Sequence, residues 1–162
     1  MGARRAASPP AGGPAARLIG DRRRFCLLEH AQSTPTVAGT DVSLLVDGYR
    51  AGWFGHDVNA IMAVVAEDIV FHNVTSGERV EGAAAFRAHV AGIHERWPDL
   101  SFEEHALYIA ADTGVAEWTA RATAADGRRL EWDGIDVINC RAGRITRNAV
   151  YSSAHAPRVL GQ

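Results

Sequence analysis

The sequence predicts an α+β fold: a cone-shaped α+β barrel with three N-terminal helices packed on a curved antiparallel sheet. Three observations carry this. Residues 41 to 97 hold helical periodicities interrupted by one strand pattern. Everything after Pro98 reads as strand. The stretch Glu131 to Tyr151 alternates Val, Ile, Trp and Tyr with polar residues on both sides of a Gly-containing break, the mark of a long hairpin. Helices gathered early and strands gathered late form separate layers, unlike alternating βαβ units. Such a sheet, wrapped around a long helix, leaves a cone whose open mouth suits a small molecule.

The totals bound the function. A chain of 162 residues is long enough for one domain with a sizeable core. Its 47% hydrophobic and 22% charged residues are ordinary for a globular protein. A net charge of -2 leaves no whole-chain footprint for nucleic acid or an acidic membrane. No apolar run approaches the length of a bilayer span. Cys26 and Cys140 lie in dissimilar segments and read as free thiols. No Cys/His cluster has metal-ligand spacing, so no metal is expected.

Taken in order, residues 1 to 40 are rich in Ala, Gly, Pro, Ser and Arg and carry no periodicity, which predicts a disordered leader. Phe25 to Leu28 is too short an apolar core for a secretory signal, and a cytoplasmic location is the expectation. The domain is expected over 41 to 162. Asp41 is a plausible cap for a helix over Val42 to Phe54, with Val42, Leu45, Tyr49 and Trp53 on one face. A second helix is expected over Val58 to Ala66 and a strand over Ile69 to Asn73. A third helix starts after Gly82 and stops at Pro98, with Phe86, Val90, Ile93 and Trp97 spaced four, three and four apart. Strands follow over Leu100 to Ala111 and Val115 to Ala124, then a turn at Asp126-Gly127 and the long hairpin, which turns at Arg141 to Arg144.

The unusual residue of that hairpin is Asp136, placed between Ile135 and Val137. Carboxylates rarely go inside unless paired or put to use. With Asp136 inward, period 2 turns Trp132, Gly134 and Ile138 inward and Asp133 outward. Asn148, Val150 and Ser152 share the inward face of the last strand, and Phe71 and Asn73 that of the first, with His72 opposite. A bulge would exchange these faces and make His72 a candidate base. His89 and His94, five apart, do not form an i,i+4 ligand pair. The pocket walls are expected from Trp53, Met62, Phe71, Phe86, Trp118 and Trp132, whereas Trp97 is expected in plain core packing.

Several strings in order resemble the SnoaL-like polyketide cyclases of the nuclear transport factor 2-like superfamily, relatives of ketosteroid isomerase and limonene epoxide hydrolase. They are Asp68 to Asn73, Gly82, Trp97 to Leu100, Gly134 to Val137, Gly143 to Thr146, Val150-Tyr151 and Val159 to Gly161. The resemblance implies a cofactor-independent cyclase or isomerase acting on a polyketide- or terpenoid-like small molecule, with a homodimer formed through the sheet face. It puts Asp136 where ketosteroid isomerase has its oxyanion-hole acid and Tyr49 near that enzyme's oxyanion tyrosine. Asn73 stands at the general-base position, and an amide takes no proton from carbon at neutral pH. Val150 stands at the epoxide hydrolase aspartate, and Ser152-Ser153 where cyclases often carry one. The implied catalytic set is therefore Asp136, Tyr49, Asn73 and His72, with Asn148 and Val150 among the substrate contacts. The alternative is a hydrophobic-ligand-binding or dimerisation module without chemistry.

Overall fold

Asp41 starts the fold by accepting a hydrogen bond from Ser43 N at 2.9 Å, which caps helix α1, Val42–Phe54. The computed structural model describes residues 41–161. The expected leader, residues 1 to 40, and Cys26 with it, fall outside the described residues. Asp57 caps the short helix α2, Val58–Val64, by accepting from Asn59 N and Ala60 N at 2.9 and 3.0 Å. Loss of such a cap costs about 1 kcal/mol.

Strand β1 is Val65–Asn73, four residues longer at its start than the sequence predicts, and α2 is correspondingly shorter. The surplus is a bulge: pairing with the last long strand shifts between Val65 and Val70. β1 turns back into β2, Glu78–Glu81, a short strand that the turn-rich sequence there concealed. Gly82, at φ 83, then starts helix α3, Ala83–Arg96. That backbone conformation is open to glycine and costly for residues with a Cβ. The remaining strands are β3, Ser101–Ala110; β4, Thr113–Thr123; β5, Arg129–Arg141; β6, Arg144–Ser152; and the two-residue β7, Arg158–Val159. Ala142 and Gly143 take φ 51 and 72 in the β5–β6 turn, which fits the two left-handed positions of a two-residue hairpin.

The sheet order is β2-β1-β6-β5-β4-β3. The sequence reading predicts an antiparallel sheet; the sheet is mixed, because β1 runs parallel to β6. α2 delivers β1 to the end of the sheet at which the β5–β6 hairpin delivers β6, so Val65 pairs with Ile145 and Asn73 with Val150. β6 pairs β5 only from Gly134 onwards, and β7 takes the edge left at Leu130 and Glu131.

Helices α1 and α3 cover the inner face of this curved sheet. Tyr49, Phe86, Ile61, Ile69, Ile138 and Ile145 are fully buried there. Each such apolar side chain contributes about 1.5–3 kcal/mol. Phe86 stacks between Tyr49 and Phe71, at 6.5 and 5.8 Å between ring centroids. No helix among the described residues is long and apolar enough to cross a membrane.

Candidate functional site

Register fixes what faces inward. Asp136 lies opposite Val150 on β6 and Ala116 on β4, Gly134 opposite Trp118, and Asn148 opposite Ile138 and beside Phe71. Asp136, Val150, Ala116, Trp118, Asn148 and Phe71 line a cavity of about 400 Å³ between the sheet and the helices. Phe71, Trp118, Trp132 and Val150 form its inner walls, and Trp53, Phe54, Trp97 and Phe102 continue the aromatic lining toward the mouth. Arg50, Arg96, Glu78, Glu104 and His155 supply its charged and titratable rim.

Polar groups meet at the inner end. Asn148 Nδ2 donates to the Tyr49 hydroxyl at 2.9 Å, and both residues are buried. The Asp136 Oδ1 and Asn148 Oδ1 atoms are buried acceptors without a partner, and Trp118 Nε1 is a buried donor without one. Burial pushes the Asp136 carboxyl up to about 7, against the opposing pull of Trp118 and Asn148. The Tyr49 phenol is pushed up too, first by burial and then by the charge on Asp136. Both groups therefore keep their protons more readily than in water. A neutral carboxyl at the inner end of an aromatic cavity can donate a hydrogen bond to an oxygen that gains charge during a reaction.

Asn73 faces the same cavity from β1. Its Oδ1 already accepts from Ser76 N at 3.1 Å, so its amide NH2 is what remains for a ligand. At the mouth Arg50 is held by Asp47 at 2.8 Å and by Glu104, with Phe54 under the guanidinium at 5.6 Å.

A model of the SnoaL-like domain matches residues 46–148. The chain belongs to the SnoaL-like domain family. No curated protein matches it. Among solved structures it is similar to an NTF2-like protein from Burkholderia thailandensis, at 22% identity, TM-score 0.64, over 69% of this chain and 90% of that one. A candidate SnoaL-like polyketide cyclase from Shewanella denitrificans is 15% identical, TM-score 0.63, over 70% of this chain and 91% of that one. A candidate ketosteroid isomerase from Kribbella flavida is 19% identical, TM-score 0.57, over 68% and 76%. Likeness at these identities establishes the fold.

Within this SnoaL-like domain the expected site residues divide. Asp136, Asn73, Trp53, Phe71, Trp118, Trp132, Asn148 and Val150 all line the cavity. Tyr49 stands behind the lining and reaches it through Asn148. Phe86 is fully buried in the core, and Met62 packs against that core rather than lining the cavity. His72 is not brought to the cavity: the β1 bulge lies before Val70, and from there His72 pairs in regular register with Ala149, on the face opposite Asn73. Asp133 points outward as expected, where Arg158 and Thr119 hold its carboxyl well below the usual range.

Sequence reasoning missed the rim. Arg50 and Glu104 are ordinary charged residues in their own segments, and nothing local says that they pair across the cavity mouth. Trp97, expected in plain core packing, lines the cavity beside Trp132 at 6.0 Å between ring centroids. His94 turns inward, its ring stacked on His56 at 4.5 Å with both nitrogens buried and unpartnered.

Proposed function

We propose that this SnoaL-like domain is a small cofactor-independent enzyme, a cyclase or isomerase acting on a polyketide- or terpenoid-like hydrophobic molecule by acid/base catalysis. The observation that carries the reading is Asp136: a carboxyl held near neutrality in its acidity at the inner end of an aromatic cavity. Its proton is donated to, or shared with, a carbonyl or enol oxygen of the substrate, and the bond shift occurs with the charge stabilised in place. Asn148, anchored by Tyr49, holds the polar end rigid. The Asn73 amide orients a second oxygen, and Trp118, Trp132 and Phe71 hold the ring system and exclude water. A cytoplasmic location belongs to the same reading.

The test is turnover of ring-bearing ketones of polyketide and terpenoid type, followed by mass spectrometry, by the parent and by Asp136→Asn. The variant is expected to fold like the parent and to lose at least about 100-fold in rate, the low end of acid/base contributions. Full activity in it would overturn the assignment.

A second reading, a hydrophobic-ligand-binding or dimerisation module, is favoured by Asn73, which offers no base opposite Asp136. Ile135 and Tyr151, directly paired across β5 and β6, are exposed on the outer sheet face, as is Tyr108 on β3. An apolar strip of this kind suits a second copy of the chain, and light scattering on the full chain reads that outcome directly.

A further inference from the structure

Trp118 has a seat made for it. On the inner face it lies directly opposite Gly134, and Asp136 is its diagonal neighbour two residue pairs further along, facing the same cavity. A Cβ on Gly134 would meet the Cη2 and Cζ2 atoms of the indole at 2.3 Å, closer than any side chain tolerates. The benzo edge of the ring therefore lies over the glycine, and Phe102 packs against the indole in a T-shaped arrangement at 5.5 Å and 89°. Glycine inside a strand weakens it unless something must come close. Here what comes close is the indole.

The seated ring ends in an unspent donor. Trp118 Nε1 is buried without a hydrogen-bond partner, and so is Asp136 Oδ1. An indole N–H is a donor only, and a carboxylate an acceptor only, so the two vacancies are complementary. Leaving either unmet costs about 1–3 kcal/mol, which makes their shared placement at one end of the cavity uneconomical unless they serve each other or one ligand atom.

We propose that Trp118, seated on Gly134, is a positioning residue whose Nε1–H stabilises the ionised form of Asp136 and so sets the pH at which that group changes from acid to base. This rests on the reading of Asp136 as the working acid. Burial alone favours the neutral carboxyl; the nearby N–H and the Asn148 amide pull the other way, although neither closes a hydrogen bond to Oδ1. The balance leaves a group able to give up and recover its proton near neutral pH. The other groups that face Asp136 are Tyr49 from α1 and Asn148 from β6. Arg50, Arg96, Glu78, Glu104 and His155 stand at the rim of the same cavity.

The experiment is a carbon-13 NMR titration of the Asp136 side-chain carboxyl in the full chain, in the parent and in Trp118→Phe, which keeps an aromatic ring and removes the donor. The variant is expected to raise the midpoint by about half to one pH unit. In the parent, the Trp118 indole N–H resonance is expected to move with the same midpoint, and Asp136→Asn to abolish that movement. The second measurement stands even if Trp118→Phe folds poorly. A midpoint unmoved in Trp118→Phe, or an indole resonance flat across the titration, overturns the role of Trp118 and leaves Asp136 untouched. A parent midpoint in the ordinary carboxylate range overturns both.

Discussion

Asn148 on β6 donates to the hydroxyl of Tyr49 on α1 at 2.9 Å, and this bond joins the covering helix to the sheet beside Asp136. Ninety-nine residues separate the partners in the chain. The bond fixes the Asn148 amide, and the amide in turn helps define the surroundings of the Asp136 carboxyl. Site and fold thus share one buried contact.

Tyr49→Phe removes the acceptor and leaves a buried amide N–H unmet. It is expected to destabilise the protein by about 1–3 kcal/mol. Urea unfolding monitored by tryptophan fluorescence measures it, and an unchanged midpoint would mean that the contact is dispensable.

Asp136 gives a stability that depends on pH. Its carboxyl is raised to about 7 in the fold from an ordinary aspartate value of 3.8. The folded state therefore binds more protons than the unfolded state between these values. Its contribution is fully present below the lower value and is lost as pH rises through 7. Asp136→Asn is expected to flatten this part of the stability profile and to be more stable than the parent at pH 8. Unfolding curves at pH 5 and pH 8 check the sign.

His94 acts in the opposite sense. Burial, and then the neighbouring His56, lower its affinity for a proton. Its contribution is present above the ordinary histidine value of about 6.5 and is lost as pH falls through the lowered folded value. His94→Phe, which keeps a ring against Trp53 and His56, is expected to reduce the loss of melting temperature between pH 7.5 and pH 5. An equal loss in parent and variant would show that the stacked pair opens without cost.

Arg158 clamps the C-terminal segment. It bonds Glu131 at 2.9 Å and Asp133 at 2.6 Å, while Leu160 N donates to Arg129 O at 2.9 Å. The pairs are exposed, so the melting temperature is expected to move little in Arg158→Ala. The Leu160 amide is expected to exchange with solvent faster, as the two-residue β7 loses its clamp. Hydrogen-exchange NMR reads this, and high salt should reproduce part of it.

Asn73→Asp tests what the cavity lacks. An aspartate keeps the acceptor for Ser76 N and adds a carboxylate on the cavity face. It is expected to raise deuterium exchange alpha to the carbonyl of a bound ring ketone by about 100-fold or more over the parent. No gain would place the bound carbonyl out of reach of β1.

Much of the site was legible because strand alternation is strict. Once Asp136 is turned inward, Trp132, Gly134, Asn148, Val150, Phe71 and Asn73 follow from period 2 alone, and the register agrees. His72 depended on where a bulge falls. The bulge exists, but it lies upstream of Val70, so the face of His72 is unchanged. Phe86 and Met62 show the limit of helical stripes. An apolar helix position points inward, but periodicity does not separate the solid core from the wall of a cavity.

The sequence by itself determined the layer order, the helix cap at Asp41, the long hairpin and the inward carboxyl of Asp136. These depend on local geometry: capping side chains, turn residues with positive φ and two-residue alternation. Only the tertiary structure decided that β1 runs parallel to β6, that Trp97 faces the cavity and that Arg50 meets Glu104 across its mouth. It alone seated Trp118 on Gly134 and brought its N–H to the end of the cavity that holds Asp136. Each of these depends on segments far apart in the chain coming together, and local propensity does not encode the distance between them.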